Sequence, residues 1–332
     1  MVAYGGDVVS EPERVHMPVL VREVCTHLTD GPSDAIAGWV IDGTLGAGGH
    51  TRALLETYPN IKIFGLDQDP EVLSIAQRDL VEFEGRVVFA RGRFSRLSAL
   101  LKAAGIESAV GVLFDLGANS LHFDRPERGF SFAADGPLDM RMDPERRRTA
   151  ADIVNTWDEE DLADLFYHEG GEKDSRRIAH AIVQARRRVP FLRTSALADT
   201  ICGASGRRGG RIHPATRSFQ ALRRAVNEEA GELMHGLRVA EHILVGCGRL
   251  LVITFHSGED GVVKRFLQER ARGGFWQLVN KKPLGPGANE RRTNPRARSA
   301  RLRCAIRIRK AAKTVDDSIA GGSHHQRGEG PQ

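Results

Sequence analysis

Asp42, Asp67 and Asp115 each close a short apolar run. The first opens a turn, Gly43-Thr44-Leu45-Gly46-Ala47-Gly48-Gly49, with four glycines in seven positions. Glycine lets the main chain take positive φ and lets a ligand approach it closely. The spacing decides which ligand. A phosphate-cradling loop needs Lys after its second key glycine, and Gly48 is followed by Gly49. A dinucleotide turn aligned on Gly46 and Gly48 needs a third Gly or Ala, and meets Thr51. What remains is an acid at a strand end beside a loose glycine cluster. That suits S-adenosylmethionine, which has no pyrophosphate but carries an ammonium and a sulfonium that favour carboxylates. A glycine turn without a ligand is the plainer alternative. One strand-end acid is ordinary, but three along one edge are harder to explain as solvated turns.

The surrounding pattern says how these acids come together. Strands are predicted over residues 38–41, 61–66, 86–90 and 110–115, with helices between them and an earlier one over 21–28. Asp69-Pro70-Glu71 reads as a helix start: N-cap, Pro at the first position, acid in the first turn. Strands alternating with helices imply a parallel sheet covered on both faces, with ligands at the carboxyl ends of the strands. From 121 to 214 the chain is polar and helical, for example over 158–167, 175–188 and 195–202. A helix is expected over 218–245, then a strand over 249–255. Ser257 and Asp260 fit a capping box for a helix over 261–270. A strand is expected over 275–279. In the last strand Leu302, Cys304, Ile306 and Ile308 alternate with polar positions that include Arg303, Arg307 and Arg309, which predicts one exposed face. The expected organisation is a sheet domain over 16–120 and 215–310, interrupted by a helical insertion over 121–214. A loose arm over 1–15 and a disordered tail over 311–332 flank it.

Composition narrows the class. The 332 residues are 41% hydrophobic and 27% charged, as in a globular protein, and the net charge of +5 mildly favours a polyanionic partner. Arginine clusters over 213–224 and 294–303, and in a flexible loop with Arg207, Arg208 and Arg211. Cys25, Cys202, Cys247 and Cys304 are scattered without metal spacing, so reduced thiols and a cytoplasmic location are expected, with no metal. The N-terminus lacks a signal-peptide apolar stretch. The most apolar segment, 243–255, is broken by Gly246, Gly248 and Arg249, so no membrane span is expected. Monomer and homodimer both stay open.

Several strings make the resemblance specific. They are His16-Met17-Pro18-Val19-Leu20, residues 42–50, Asp67-Gln68-Asp69-Pro70, Arg128-Gly129-Phe130-Ser131-Phe132 and Asp135-Gly136-Pro137-Leu138-Asp139-Met140-Arg141-Met142-Asp143. His213-Pro214-Ala215-Thr216-Arg217-Ser218-Phe219-Gln220-Ala221-Leu222-Arg223, Phe255-His256-Ser257, Glu259-Asp260 and Asn294-Pro295-Arg296-Ala297-Arg298-Ser299 follow in order. Together they resemble the RsmH (MraW) family, bacterial methyltransferases that modify the exocyclic N4 of a cytidine in small-subunit ribosomal RNA. The chain departs from the family pattern at Asn119, where a hydroxyl is usual, at His122, where Gln is common, and at Gly258, where Leu is usual.

The resemblance implies a Rossmann-like class I methyltransferase fold, α/β with a mostly parallel seven-stranded sheet and an inserted all-helical domain. It implies S-adenosylmethionine as cofactor and 16S ribosomal RNA in the small ribosomal subunit as partner. Gly48, Gly49 and His50 would lie against the methionine part, and Asp67 would accept the ribose hydroxyls. Phe94 would pack on the adenine, Asp115 would border the transferring methyl, and His122 matches a cofactor contact. Taken singly, Phe94 is more often core and His50 more often a helix cap.

The cytosine amino group is a poor nucleophile because its lone pair is delocalised into the ring. It must be held in line, and an acceptor must bond its N–H as the nitrogen pyramidalises. Asp115, Asn119 and Asp139 are the candidates, although Asp139 could equally pair with Arg141 or Arg146. Met140 and Met142 read as packing residues. Methylation at carbon 5 would need a cysteine nucleophile, and none lies near a strand-end motif. Arg217, Arg223, Arg296 and Arg298 are expected on RNA phosphates. Two other readings stand beside this one. A small-molecule methyltransferase would carry an apolar insertion, and a non-catalytic RNA-binding assembly factor would have degenerate strand-end acids.

Overall fold

The computed structural model describes residues 18–206 and 212–308. The expected arm and tail, Arg207, Arg208, Arg211 and Arg309 lie outside the described residues.

The first half alternates as the spacing predicts. It runs α1 (Val21–His27), β1 (Gly38–Asp42), α2 (Gly49–Thr57), β2 (Ile61–Asp67), α3 (Pro70–Asp79), β3 (Val87–Arg91), α4 (Phe94–Ala103), β4 (Ala109–Asp115) and the short α5 (Ser120–Asp124). Asp69 caps α3 by accepting from Glu71 N, with Pro70 at the first position. Five helices follow: α6 (Ala150–Thr156), α7 (Glu159–His168), α8 (Ser175–Arg186), α9 (Thr194–Ala204) and α10 (Thr216–Asn227). The last part is α11 (Glu229–Ile243), β5 (Leu244–Thr254), α12 (Ser257–Arg272), β6 (Trp276–Leu278), α13 (Ala288–Thr293) and β7 (Arg301–Arg307).

The seven strands form one sheet in the order β3-β2-β1-β4-β5-β7-β6. The contiguous pairs from β3 to β5 are parallel, and β7 runs antiparallel to both its neighbours. Ile41, Phe64, Phe114 and Val252 face one side, under Leu97, Leu233 and Phe266 of α4, α11 and α12. Val40, Ile63, Leu113 and Ile253 face the other, under Val24 and Leu54 of α1 and α2. Burial on both faces is why these strands read as continuous apolar runs. A separate core joins Ile153, Phe166, Ile182, Leu197 and Leu222 of the five consecutive helices.

Helix α10 buries Phe219, Leu222 and Val226 in that second core. We therefore propose that the inserted unit ends at Asn227 rather than at 214. Among the described residues no helix is long and apolar enough to cross a membrane.

Three local expectations are corrected. The helix expected over 218–245 breaks at Glu228, where φ is +54°. At the end of α10 the Asn227 side chain accepts from Met142 N at 2.9 Å and donates to Met140 O at 2.8 Å. The cap of α12 is His256, not Ser257: its side chain accepts from Glu259 N, and Glu259 Oε2 accepts from Phe255 N at 3.0 Å. Asp260 is drawn away by Arg303, whose Nε and Nη2 donate to it at 2.7 and 3.0 Å. For the same reason the polar face of β7 is mostly covered: Arg303 is buried beneath α12 and only Arg301 on that face is exposed.

Candidate active site

The carboxyl ends of β2, β1, β4 and β5 share one edge, and each brings an acid or its neighbours there. Asp42, fully buried, fastens the glycine turn. Its Oδ1 accepts from Thr44 N at 3.2 Å and its Oδ2 from Thr51 Oγ1 at 2.8 Å. Burial raises its pKa, and His50, Thr51 and Thr44 pull it back. Asp42 thus shapes the turn from behind. Gly48 caps α2 at φ +84°, and a side chain there would meet Leu80. A side chain at Gly49 would meet Pro18. With these directions filled, both glycines offer only backbone to a ligand.

Asp67 stands at the end of β2 with its oxygens aimed by the main chain. Oδ2 accepts from Gly46 N and Oδ1 from Asp69 N, each at 2.9 Å. Burial raises its pKa against these bonds. Each oxygen keeps lone-pair capacity for a further donor, which suits a vicinal diol.

Asp115, at the end of β4, is the least satisfied of the three. Its backbone N donates to Thr44 Oγ1 at 2.6 Å, but Oδ1 is buried and has no hydrogen-bond partner. Oδ2 lies 3.6 Å from His50 Nδ1. Burial pushes Asp115 up to about 6; His50 lowers it, and Asp42 and Glu259 push it further up. His50 is buried rather than a helix cap. Its Nε2 donates to Val19 O at 2.8 Å, and its Nδ1 faces Asp115.

The remaining sequence candidates fall in different places. Phe94, partly buried, packs on Phe114 with ring centroids 4.6 Å apart, against the sheet core. Asn119 caps α5 by accepting from Leu121 N at 3.1 Å. Both ring nitrogens of His122 are engaged: Nδ1 accepts from Asn119 N at 3.1 Å, and Nε2 bonds Asp69 Oδ2 at 2.8 Å. Asp139 is held on both oxygens by Arg141, at 2.8 and 2.7 Å.

Of the four arginines expected on RNA, Arg296 and Arg298 are exposed, and Arg296 reaches Asp124 at 3.3 Å. Arg217 is half-buried and donates to Gly171 O at 3.1 Å. Arg223 instead turns inward, paired with Glu229 at 2.8 and 3.0 Å. Its helix α10 carries that face into the junction with α11.

Sequence reasoning missed two networks. Arg128 donates to Asp69 Oδ2 at 2.7 Å and to the carbonyls of Arg141 and Met142 at 3.1 and 3.0 Å. It thereby ties the entrance of the helical unit to the start of α3. Burial works against ionised Asp69, but the bonds from His122 and Arg128 win and hold its pKa low. The second network joins Glu229, His256 and Glu259, whose ligand atoms lie within 4.8 Å of one another. Arg223 occupies Glu229, and Phe255 N occupies Glu259. Glu229 and His122 apart, these residues lie inside the matching strings, but spacing alone gave no hint of who pairs with whom.

Residues 13–308 match the MraW methylase family. A protein named ribosomal RNA small subunit methyltransferase H from Methylobacterium sp. (strain 4-46) is 46% identical over 311 residues, 88% of this chain and 90% of its own. The protein of that name from Methylorubrum populi is 47% identical over 317 residues, covering 90% and 88%. The one from Caulobacter sp. (strain K31) is 47% identical over 312 residues, covering 88% and 92%.

Proposed function

The chain belongs to the MraW methylase family, and from that premise we propose that it methylates the exocyclic N4 of a cytidine in the 16S ribosomal RNA of the small ribosomal subunit. It is an S-adenosylmethionine-dependent ribosomal RNA methyltransferase. The names of its relatives support the small subunit as the source of the RNA. The choice of N4 rests on the family resemblance and on the site's chemistry.

The residues at the strand ends fit the cofactor. Asp67 has two aimed oxygens for the ribose, and Asp115 is an anion with an unpartnered oxygen beside the glycine turn. When bound, S-adenosylmethionine supplies an electrophilic methyl on its sulfonium. The protein's own part is to hold a flipped-out or single-stranded cytosine, since N4 in a duplex is paired and stacked. It must also accept an amino N–H as charge develops on nitrogen.

One observation carries the choice of acceptor. Of the three candidates only Asp115 has a buried carboxylate oxygen without a partner. Asn119 is spent on a helix cap and Asp139 on Arg141. At neutral pH a group with pKa about 6 is mostly ionised yet basic enough to take a proton. We assign Asp115 as the acceptor, with His50 Nδ1 as its neighbour, and Asp139 as the residue that fixes the Arg141 turn.

The test is transfer of labelled methyl from S-adenosylmethionine to small-subunit RNA, naked and in assembled particles, followed by digestion to nucleosides. Label is expected in N4-methylcytidine. Label in 5-methylcytidine or in another nucleoside, or none in RNA at all, would overturn the assignment.

A further inference from the structure

Between the two cores lies a cleft of about 450 Å³ whose arginines the reaction has not used. Arg93, from the loop after β3, and Arg146, Arg147 and Arg148, from the helical unit, line it. Asp143, Glu145 and Glu228 line it as well. The charges are unevenly paired. Glu228 takes both Arg93 and Arg146, at 3.0 and 2.9 Å. Asp143 and Glu145 are both held by Arg91, each at 2.8 Å. Arg93 also reaches Glu232 at 3.6 Å, so the acids at the cleft are engaged by Arg91, Arg93 and Arg146, and none of them pairs with Arg147 or Arg148. Arg147 is exposed and has no ion pair or hydrogen bond among the described residues. Arg148 is exposed, lies 5.9 Å from the Trp157 ring and has no salt bridge among the described residues. Arg146 is only 14% exposed, and while its Nη2 bonds Glu228, its Nη1 is buried without a partner.

An enclosed guanidinium N–H that lacks an acceptor, beside two exposed guanidinium groups without a salt bridge, suits an anion. The forked geometry of Arg suits a phosphodiester, which can take two parallel N–H bonds. The cleft also sits at the right place. The end of β3 is three strands from the end of β4, roughly 14 Å at the usual strand spacing. A single strand whose cytosine reached Asp115 would pass the cleft within a few nucleotides.

We propose that this cleft binds backbone phosphates of the substrate RNA flanking the target cytidine, and so docks the strand against both units at once. This rests on the assignment of RNA as substrate. It adds a site that the arginine runs over 213–224 and 294–303 did not indicate.

The test is fluorescence anisotropy of a single-stranded, cytidine-containing oligoribonucleotide across a salt series. The variants are Arg147→Gln/Arg148→Gln together and Arg146→Gln alone. The double variant is expected to bind about tenfold or more weakly at low salt. The slope of log affinity against log salt should flatten by roughly 0.7 for each phosphate that the variant no longer neutralises. Affinity for S-adenosylmethionine should be unchanged. Arg146 also anchors Glu228, so its variant is read only alongside a thermal midpoint, and the double variant decides. Unchanged affinity and slope, with a wild-type protein that binds and methylates RNA, would overturn the cleft and leave the function standing. A wild-type protein that transfers no methyl to RNA would overturn the function and the cleft with it. Weaker binding to assembled particles but not to the oligoribonucleotide would give the cleft to a ribosomal protein and overturn the proposal.

Discussion

At the scale of single residues, the site combines acids with different environments. Asp42 is spent on structure, Asp67 is aimed by two backbone amides, and Asp115 is enclosed and incompletely bonded. The last arrangement has a cost. Asp115 ionises near 6 in the folded chain against an ordinary 3.8. Between those values the folded state binds more protons than the unfolded state, so stability falls as pH rises through that window and stays lowered above it. Asp115→Asn removes the penalty. Without cofactor, this variant is expected to be more stable than wild type by about 1–3 kcal/mol at pH near 8, with the gain shrinking as pH approaches about 4. Its affinity for the cationic cofactor should fall. Thermal unfolding across pH, paired with titration calorimetry, checks both. A destabilised variant at pH near 8 would mean that Asp115 is a structural anchor like Asp42.

At the scale of elements, the link between the two units depends on backbone crossing. Gly129 has φ +72°, and a side chain there would run into Pro137 O and Asp139 N; one at Gly136 would run into Pro126 O. The two segments therefore pass with their main chains touching, so neither Gly129 nor Gly136 has room for a side chain. Gly171 makes the comparison, with φ +61° but nothing within 4 Å of an added Cβ. Gly171→Ala is expected to cost roughly 1 kcal/mol from conformation alone. Gly129→Ala should cost several-fold more, or prevent folding, because main chain must move. Denaturant unfolding of the two variants decides, and equal costs would contradict the crossing. Much of this fold was legible in the residue pattern. The strands over 38–41, 61–66 and 110–115 announced themselves because burial on both faces demands apolar runs. Other features were not, because they depend on partners distant in sequence. The alternation of β7 suggested an exposed face, but Arg303 meets Asp260 from 43 residues away. Arg223 sits in a basic run, yet Glu229 after the Glu228 break turns it inward. The acids at the strand ends were visible; which of them is satisfied could be seen only in the packing.

At the scale of the whole molecule, the chain builds a sheet with a core on each face and a helical unit with a core of its own. Arg128 and Glu228 bind the helical unit to the sheet, the first through Asp69 and the second through Arg93 and Arg146. In the proposed reading the sheet edge offers the acids for the cofactor, and the helical unit lies across from the cleft arginine that follows β3. If a strand of RNA touches both units as proposed, substitutions in the cleft act on binding and those at Asp115 on chemistry. The most direct measurement is the single-turnover rate of methyl transfer to small-subunit RNA at saturating S-adenosylmethionine, for wild type, Asp115→Asn and Asp139→Asn. Asp115→Asn is expected to slow the step by roughly 10²-fold or more, the range for losing a positioned acceptor, while Asp139→Asn stays within a few-fold of wild type. If Asp139→Asn collapses the rate and Asp115→Asn does not, the acceptor lies in the helical unit and the assignment to the end of β4 is wrong.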